Sequence, residues 1–392
     1  MNTIRLHPGS GRKVRAGHLW IFSNEIQRID KTITPGDDIL VEDHKGRLLG
    51  TGTCSPRSLI AVRLHACAAS MPLGPELLDE RIRRAWERRK AWLGEQGSVA
   101  CRVVNGEGDL LPGLIVDRFN QYLSIQCHTA AMDRRIHWVI DVLQELFSPK
   151  GILLRNDSSF RTLEGLPQSI SLGRGEVPSK VEFTLGGFRI SADLWEGQKT
   201  GFFFDQRDNY SLLNPICNGK RVLDGFCYTG IWGMHAARWG SHEILCVDTS
   251  GAALELAREN ARDNQLDQIQ FRHMDVLDLL KEQAEGGEGF DVIVLDPPAY
   301  ARSRQTVKEA LKGYINLNKW AIRCIHAAGY LITCSCSHHV VPETFIEAVS
   351  LSAREAGRTV RVLRQGCQAV DHPWLPSMPE TAYLKVLLLQ VD

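Results

Sequence analysis

The chain has 392 residues, 43% hydrophobic and 23% charged, which is ordinary globular composition and too apolar for an intrinsically disordered chain. Its 46 Lys+Arg balance 46 Asp+Glu, so a polybasic nucleic-acid coat is excluded while a local basic patch is not. No uncharged apolar run approaches the ~18 residues that span a bilayer, and eleven cysteines without a Cys-x-x-Cys pair exclude zinc-ribbon and thioredoxin sites.

At roughly 150 residues per domain, the length allows two or three domains, and three segments are expected. Residues 1–70 read as all-β. Short apolar runs (Ile39-Leu40-Val41, Leu48-Leu49-Gly50, Leu59-Ile60-Ala61-Val62) alternate with turn signals at Pro35-Gly36-Asp37-Asp38 and Asp43-His44-Lys45-Gly46. Residues 71–185 read as α+β. A helix from Glu76 to Leu93 opens this segment, and its stretch from Arg81 through Arg84 and Arg88 to Lys90 is strongly basic. That face suits phosphate or plain solvent equally well. Strands follow near Gly113–Phe119, Tyr122–Ile125 and Gly151–Arg155, with a helix from Met132 to Leu146.

Residues 186–392 alternate strands with helices. Strands end at Asp224, Asp248 and Asp296, another ends at Arg272 shortly before Asp275, and a fifth is Tyr330-Leu331-Ile332-Thr333. The helices between them run Gly233–Trp239, Gly251–Asn264, Val276–Ala284 and Val307–Ala327. This pattern predicts a parallel doubly wound sheet with its ligand at the carboxyl ends of the strands.

The turn after the first of these strands is Asp224-Gly225-Phe226-Cys227-Tyr228-Thr229-Gly230. Gly225 and Gly230 have phosphate-loop spacing, but Ile231 and Trp232 stand where the lysine would be, and no Gly-x-Gly-x-x-Gly occurs. An acidic rim repels pyrophosphate and suits a cationic or neutral ligand that carries a ribose and an adenine. S-adenosylmethionine is such a ligand, and Asp248, one βαβ unit beyond Asp224, is placed for the ribose hydroxyls. A lone strand-end Asp is as well explained as a helix N-cap. The set of four with the glycine turn resembles the class I S-adenosylmethionine-dependent methyltransferases.

Two strand ends flank the expected reaction centre. One carries Asp296-Pro297-Pro298-Ala299-Tyr300, and the other Thr333-Cys334-Ser335-Cys336-Ser337-His338-His339. A thiolate that adds to carbon 6 of a pyrimidine makes carbon 5 nucleophilic, which is covalent catalysis. The thiol must be exposed and partly ionised. Cys334 at the strand end is the expected nucleophile, and Cys336, two residues on, shares its face of an extended chain. Cys227, Cys246 and Cys324 read as buried packing cysteines.

Thr333-Cys334-Ser335 is similar to the motif that carries the nucleophile in RNA cytosine-5 methyltransferases. The whole chain resembles the RlmI type, which acts on large-subunit ribosomal RNA. The resemblance includes Gly17-His18-Leu19-Trp20-Ile21-Phe22, Ile60-Ala61-Val62-Arg63, Arg102–Glu107, Asp117-Arg118-Phe119, and Gly197-Gln198-Lys199-Thr200-Gly201 through Arg207. It implies an α/β, Rossmann-like, seven-stranded methyltransferase domain (186–392) preceded by an all-β PUA barrel (1–70) and an α+β central domain (71–185).

The resemblance further implies a cytoplasmic enzyme that methylates carbon 5 of a cytosine in large-subunit (23S) ribosomal RNA through a cysteine adduct, with no metal. It is compatible with a homodimer. The implied cofactor residues are Asp224, Gly225, Phe226, Gly230, Asp248, Asp275, Gln198 and Thr200. Cys334, Asp296 and Cys336 are the implied catalytic groups, and Arg81, Arg84, Arg88 and Tyr300 the RNA contacts. Ala299 departs from the family pattern, where a second cysteine helps product release; Asp296, Cys336 or water is left for that step. The Asp296-Pro297-Pro298 loop with Tyr300 also resembles that of amino-group methyltransferases, which need no cysteine. A non-catalytic RNA-binding assembly factor is the third reading. The export core that a leader needs is absent from Met1–Pro8, so a reducing cytoplasm is expected.

Overall fold

The computed structural model describes residues 1–301 and 303–392. The chain divides into two compact units. The first comprises Met1–Gly187, Ala192–Phe204 and Val370–Thr381. The second comprises Phe188–Ser191, Asp205–Ala369 and Ala382–Asp392. Residues 192–204 and 370–381, which the sequence reading places in the third domain, thus group with the first unit.

The first unit holds two sheets. Six strands drawn from Asn2–Cys67 form one, in which Asp38–Glu42 pairs in parallel with Asn2–Leu6 and antiparallel with Leu48–Cys54. The strand Asp38–Glu42 buries alternate residues, as period-2 patterning requires of a sheet with one covered face. Its turn is closed by Asp43, whose Oδ1 accepts from the backbone N–H of Lys45 and Arg47 at 2.8 and 3.0 Å. The second sheet has five strands between Ala100 and Gly175. The helices Pro75–Ser98 and Ile136–Phe147 pack on it through Leu78, Ile82, Trp86, Val139 and Leu143.

Two sequence expectations are corrected here. The basic helix runs on to Ser98 across a kink at Gly94, where φ is 67°. The helix expected from Met132 to Leu146 is two helices, Ala130–Arg134 and Ile136–Phe147, broken at Arg135. The Arg135 guanidinium donates to the Leu73 carbonyl and to Asp38 Oδ2, both at 2.8 Å. Those bonds draw it into the first sheet's neighbourhood and out of a continuous helix.

The second unit is built on a seven-stranded sheet. Its strands, in chain order, are Arg221–Gly225, Glu243–Asp248, Ile269–His273, Phe290–Leu295, Ile325–Ser335, Val360–Gly366 and Lys385–Val391. Numbered one to seven, their spatial order is 3-2-1-4-5-7-6. The first five are parallel, and the seventh runs antiparallel to both of its neighbours. Central strands such as Val292-Ile293-Val294-Leu295 are apolar on both faces because helices cover both. Strand order reverses between strands one and four, which opens a crevice at their carboxyl ends. Among the described residues no helix is long and apolar enough to cross a membrane.

Phe345, on the helix Pro342–Ala356, is fully buried and stands edge-on to Tyr314 with ring centroids 5.3 Å apart. Phe345→Ala should cost about 3 to 5 kcal/mol, the transfer and cavity penalty of a large core side chain. Urea unfolding followed by circular dichroism checks this, and Phe345→Leu should recover most of the loss.

Candidate active site

The crevice begins at the turn Asp224–Gly230. Phe226 and Tyr228 take positive φ of 66° and 47°, and Gly230 ends the turn at 80°, where glycine is unstrained. The helix Ile231–Arg238 then starts beneath it. Gly233 lets this helix approach the second strand: a Cβ there would lie 2.4 Å from Cys246 Sγ. That closeness brings the Gly233 N–H within 2.9 Å of Asp224 Oδ2.

Asp224 is fully buried, and its Oδ1 has no hydrogen-bond partner. Burial pushes its carboxyl up to about 7; the Gly233 N–H pulls it down, and Asp296 and Asp248 push it further up. An ionised carboxylate in this position is short of a cation. A cationic ligand therefore fits the site as built.

The other acids on the rim are differently engaged. Asp248 Oδ2 accepts from the Tyr228 N–H at 2.9 Å, and Oδ1 from the Ser250 N–H at 2.8 Å, so this carboxylate holds the turn in place. Each oxygen keeps lone-pair capacity for a hydroxyl. Asp275 caps the helix Val276–Gly286 through Oδ1, which accepts from Leu277 and Asp278 N–H at 2.9 and 3.1 Å. Gly225 admits no side chain, since a Cβ would meet Val276 Cγ1 at 2.9 Å. Phe226 and Tyr300 lean on the hydrophobic core, and the Tyr300 ring lies 4.8 Å from that of Tyr314.

The two candidate thiols differ sharply, which corrects the expectation that the strand end exposes Cys334. Cys334 is 0% exposed, and burial pushes its thiol well above the ordinary cysteine value, with the Asp296 charge adding to the shift. Cys334 is still inside strand five, paired with Val386 on strand seven. The strand ends one residue later, at Ser335. Cys336 lies past that end, is half-buried, and points its thiol at the Pro297 carbonyl of the Asp-Pro-Pro loop, 3.7 Å away. Two-residue spacing puts both on one face only while the chain stays extended.

Several residues at this centre escaped the sequence reading. Lys385 is buried on strand seven, and its Nζ donates to the carbonyls of Ser337 and Tyr383, both at 2.7 Å. The Tyr383 hydroxyl donates to Asp205 Oδ2 at 2.7 Å. Strands six and seven were not placed from sequence, so nothing pointed to Lys385. A lysine inside an otherwise apolar strand, Lys385-Val386-Leu387-Leu388-Leu389, is the signal that could have found it.

The remaining expected residues lie in the first unit. Thr200 is buried, and its hydroxyl donates to Asp117 Oδ2 at 2.6 Å. Gln198 is exposed, with its carbonyl accepting from the Gly201 N–H at 2.8 Å. On the basic helix, Arg81 donates to the carbonyls of Leu110 and His65. Arg88 pairs with buried Asp109 at 2.5 Å, beside Arg89, which binds the same carboxylate through two nitrogens. Of the three arginines, Arg84 and Arg88 keep exposed side chains, 72% and 48% accessible, and Arg84 is paired at 2.9 Å with Glu80 one turn away. The charge run is thus divided: Arg81 and Arg89 bond to carbonyls and to Asp109, while Arg84, Arg88 and Lys90 stay on the surface.

Comparisons with known proteins agree with this architecture. A PUA-like domain model matches residues 4–66, and a model described as conserved hypothetical protein 95 matches residues 206–364. A ribosomal RNA large subunit methyltransferase I from Tolumonas auensis is 36% identical over 392 residues, covering 99% of both chains. The protein of that name from Shewanella amazonensis is 36% identical over 391 residues, again with 99% coverage of each. Among solved structures, a putative SAM-dependent methyltransferase from Streptococcus mutans covers both chains fully, with a TM-score of 0.86 at 19% identity. A putative methyltransferase complexed with SAH gives 0.87 at 19%, also with full coverage. The two structural likenesses establish the fold, with its Rossmann-like sheet, and the family model identifies the PUA-like domain. With 36% identity to such relatives across 99% of its length, the chain belongs to the ribosomal RNA large subunit methyltransferase I family.

Proposed function

We propose that this protein transfers a methyl group from S-adenosylmethionine to carbon 5 of a cytosine in large-subunit ribosomal RNA, in the cytoplasm, with Cys336 as the transient nucleophile. The carrying observation is that the thiol of half-buried Cys336 lies 3.7 Å from the Pro297 carbonyl of the Asp-Pro-Pro loop while Cys334 is sealed in the sheet. Family membership supports ribosomal RNA as the substrate class.

Asp224 holds the cofactor's positive end with its unpartnered oxygen. Asp248 receives the ribose hydroxyls, Gly225 and Gly230 keep the turn open for its backbone, and Asp275 stands at the outer rim. The cofactor supplies an electrophilic methyl group on sulfonium sulfur, which carbon 5 of the activated ring accepts. A target base enters from single-stranded or opened RNA, turned out of its stack.

Cys336 Sγ, as thiolate, forms a bond to carbon 6, and the carbon 5–carbon 6 π pair moves onto carbon 5. Asp296 faces the base edge; protonated, it donates to the ring nitrogen and draws charge out of the ring. After methylation the carbon 5 proton leaves, the double bond re-forms, and the sulfur departs with its electron pair. A water takes that proton while Asp296 keeps its own, because Ala299 has no group that can.

Cys336→Ala should abolish methylation, by at least about a thousandfold, as expected when a covalent route is removed. Cys334→Ala should keep the reaction and lose mainly packing. Mass spectrometry of ribosomal RNA after incubation with labelled cofactor reads both. Label on an exocyclic amine, with full activity of Cys336→Ala, would instead assign the amino-group reaction.

Asp224 sets a second expectation. Its carboxyl is raised from 3.8 to about 7 in the free protein, so folding takes up a proton there between those values. Ionising it as pH rises through 7 costs stability, and a bound cation offsets that cost. Cofactor affinity should therefore rise with pH from 6 to 8, by up to about tenfold per unit below the midpoint. Isothermal titration calorimetry checks this, and Asp224→Asn should bind weakly with the dependence removed.

A further inference from the structure

We propose that Lys385 is a positioning residue for the Cys336 thiol: it takes the proton that sulfur gives up and holds the sulfur as a thiolate. The proposal rests on the reading of Cys336 given above. Lys385 lies opposite Ser335 in the antiparallel pairing of strands seven and five. Its Nζ is anchored 2.7 Å from the carbonyl of Ser337, the residue that follows Cys336, and 2.7 Å from that of Tyr383. A lysine ammonium has three donors. Two carbonyls fix the nitrogen, and one position remains for a proton shared with a neighbour.

A buried lysine is normally paired with a carboxylate. Among the described residues none lies within ion-pair distance of Lys385. Burial brings its ammonium down to about 8, and Cys336 is the one group that works against that fall. The two groups therefore favour each other's charged forms. Burial and charge argue for the exchange from the sulfur's side too. The Asp296 and Asp205 charges reach Cys334, Cys336 acts on Cys334 and on the Tyr314 hydroxyl, and the His338 ring lies 5.0 Å from that of Tyr383, whose hydroxyl donates to Asp205. Each acid among them, when ionised, disfavours a thiolate, and the Lys385 ammonium opposes them.

The proton balance is simple. The S–H proton of Cys336 passes to neutral Nζ, leaving thiolate and ammonium. The thiolate adds to carbon 6. When the sulfur is later expelled as thiolate, it regains its proton from the ammonium. No oxidant or further reactant is needed.

The test alkylates the full-length protein with iodoacetamide from pH 6 to 10 and follows each cysteine peptide by mass spectrometry. Exposed Cys67 is the internal reference. Cys336 should react with a midpoint at least one unit below that of Cys67. Lys385→Met should raise the midpoint by a unit or more, slowing alkylation about tenfold at pH 7, while Lys385→Arg keeps it low. Unchanged thermal melting and cofactor binding show that the Met variant is folded; if it is not, the wild-type profile and Lys385→Arg decide. A Cys336 midpoint that matches Cys67, or that ignores Lys385→Met, overturns the proposal. Methylation by Cys336→Ala would overturn the nucleophile assignment instead, and leaves the alkylation result readable.

Discussion

Strand seven running antiparallel between strands five and six is the constraint on which the reaction centre depends. Pairing of Cys334 with Val386 and of Ser335 with Lys385 decides which side chains meet beside the Asp-Pro-Pro loop. Side chains alternate across a strand, so a slip of one residue would turn Lys385 to the other face and replace it with Val386 or Leu384. The ladder also ends at Ser335, which releases Cys336 from the sheet while Cys334 stays inside it. One register thus sorts two neighbouring thiols into a buried packing group and an accessible one.

The crevice beside that strand end is electrostatically unfinished. Three carboxylates of the second unit, Asp224, Asp248 and Asp296, act on one another, and their mutual repulsion adds to the burial that raises Asp224. Asp248 stabilises the turn through two backbone N–H groups, whereas Asp224 keeps one buried oxygen without a partner. An isolated chain tolerates this arrangement by taking up a proton. On the reading proposed above, a cationic cofactor relieves it directly, so the same desolvation that weakens the free protein strengthens binding.

Much of the methyltransferase unit was legible because parallel strands buried on both faces are short continuous apolar runs with an acid at the end. Asp224, Asp248 and Asp296 could be assigned to one rim on that ground. The basic helix was legible as a helix, but the partners of its arginines were not. Arg81 and Arg88 are drawn to the Leu110 and His65 carbonyls and to Asp109, acceptors distant enough in sequence to leave no local trace. The break at Arg135 was hidden for the same reason, since its guanidinium is claimed by Leu73 and Asp38.

Local patterning therefore settled the first five strands of the sheet and most of the helices between them, which strand ends carry acids, and that two thiols lie at the end of strand five. These follow from hydrophobic period and turn chemistry, which act over a few residues. The difference in burial between Cys334 and Cys336, the pairing of Lys385 with Ser335, and the partners of the basic helix came only with the folded chain. Each depends on contacts between residues tens to hundreds of positions apart, and burial, which sets thiol reactivity and lysine charge, exists only once those contacts form.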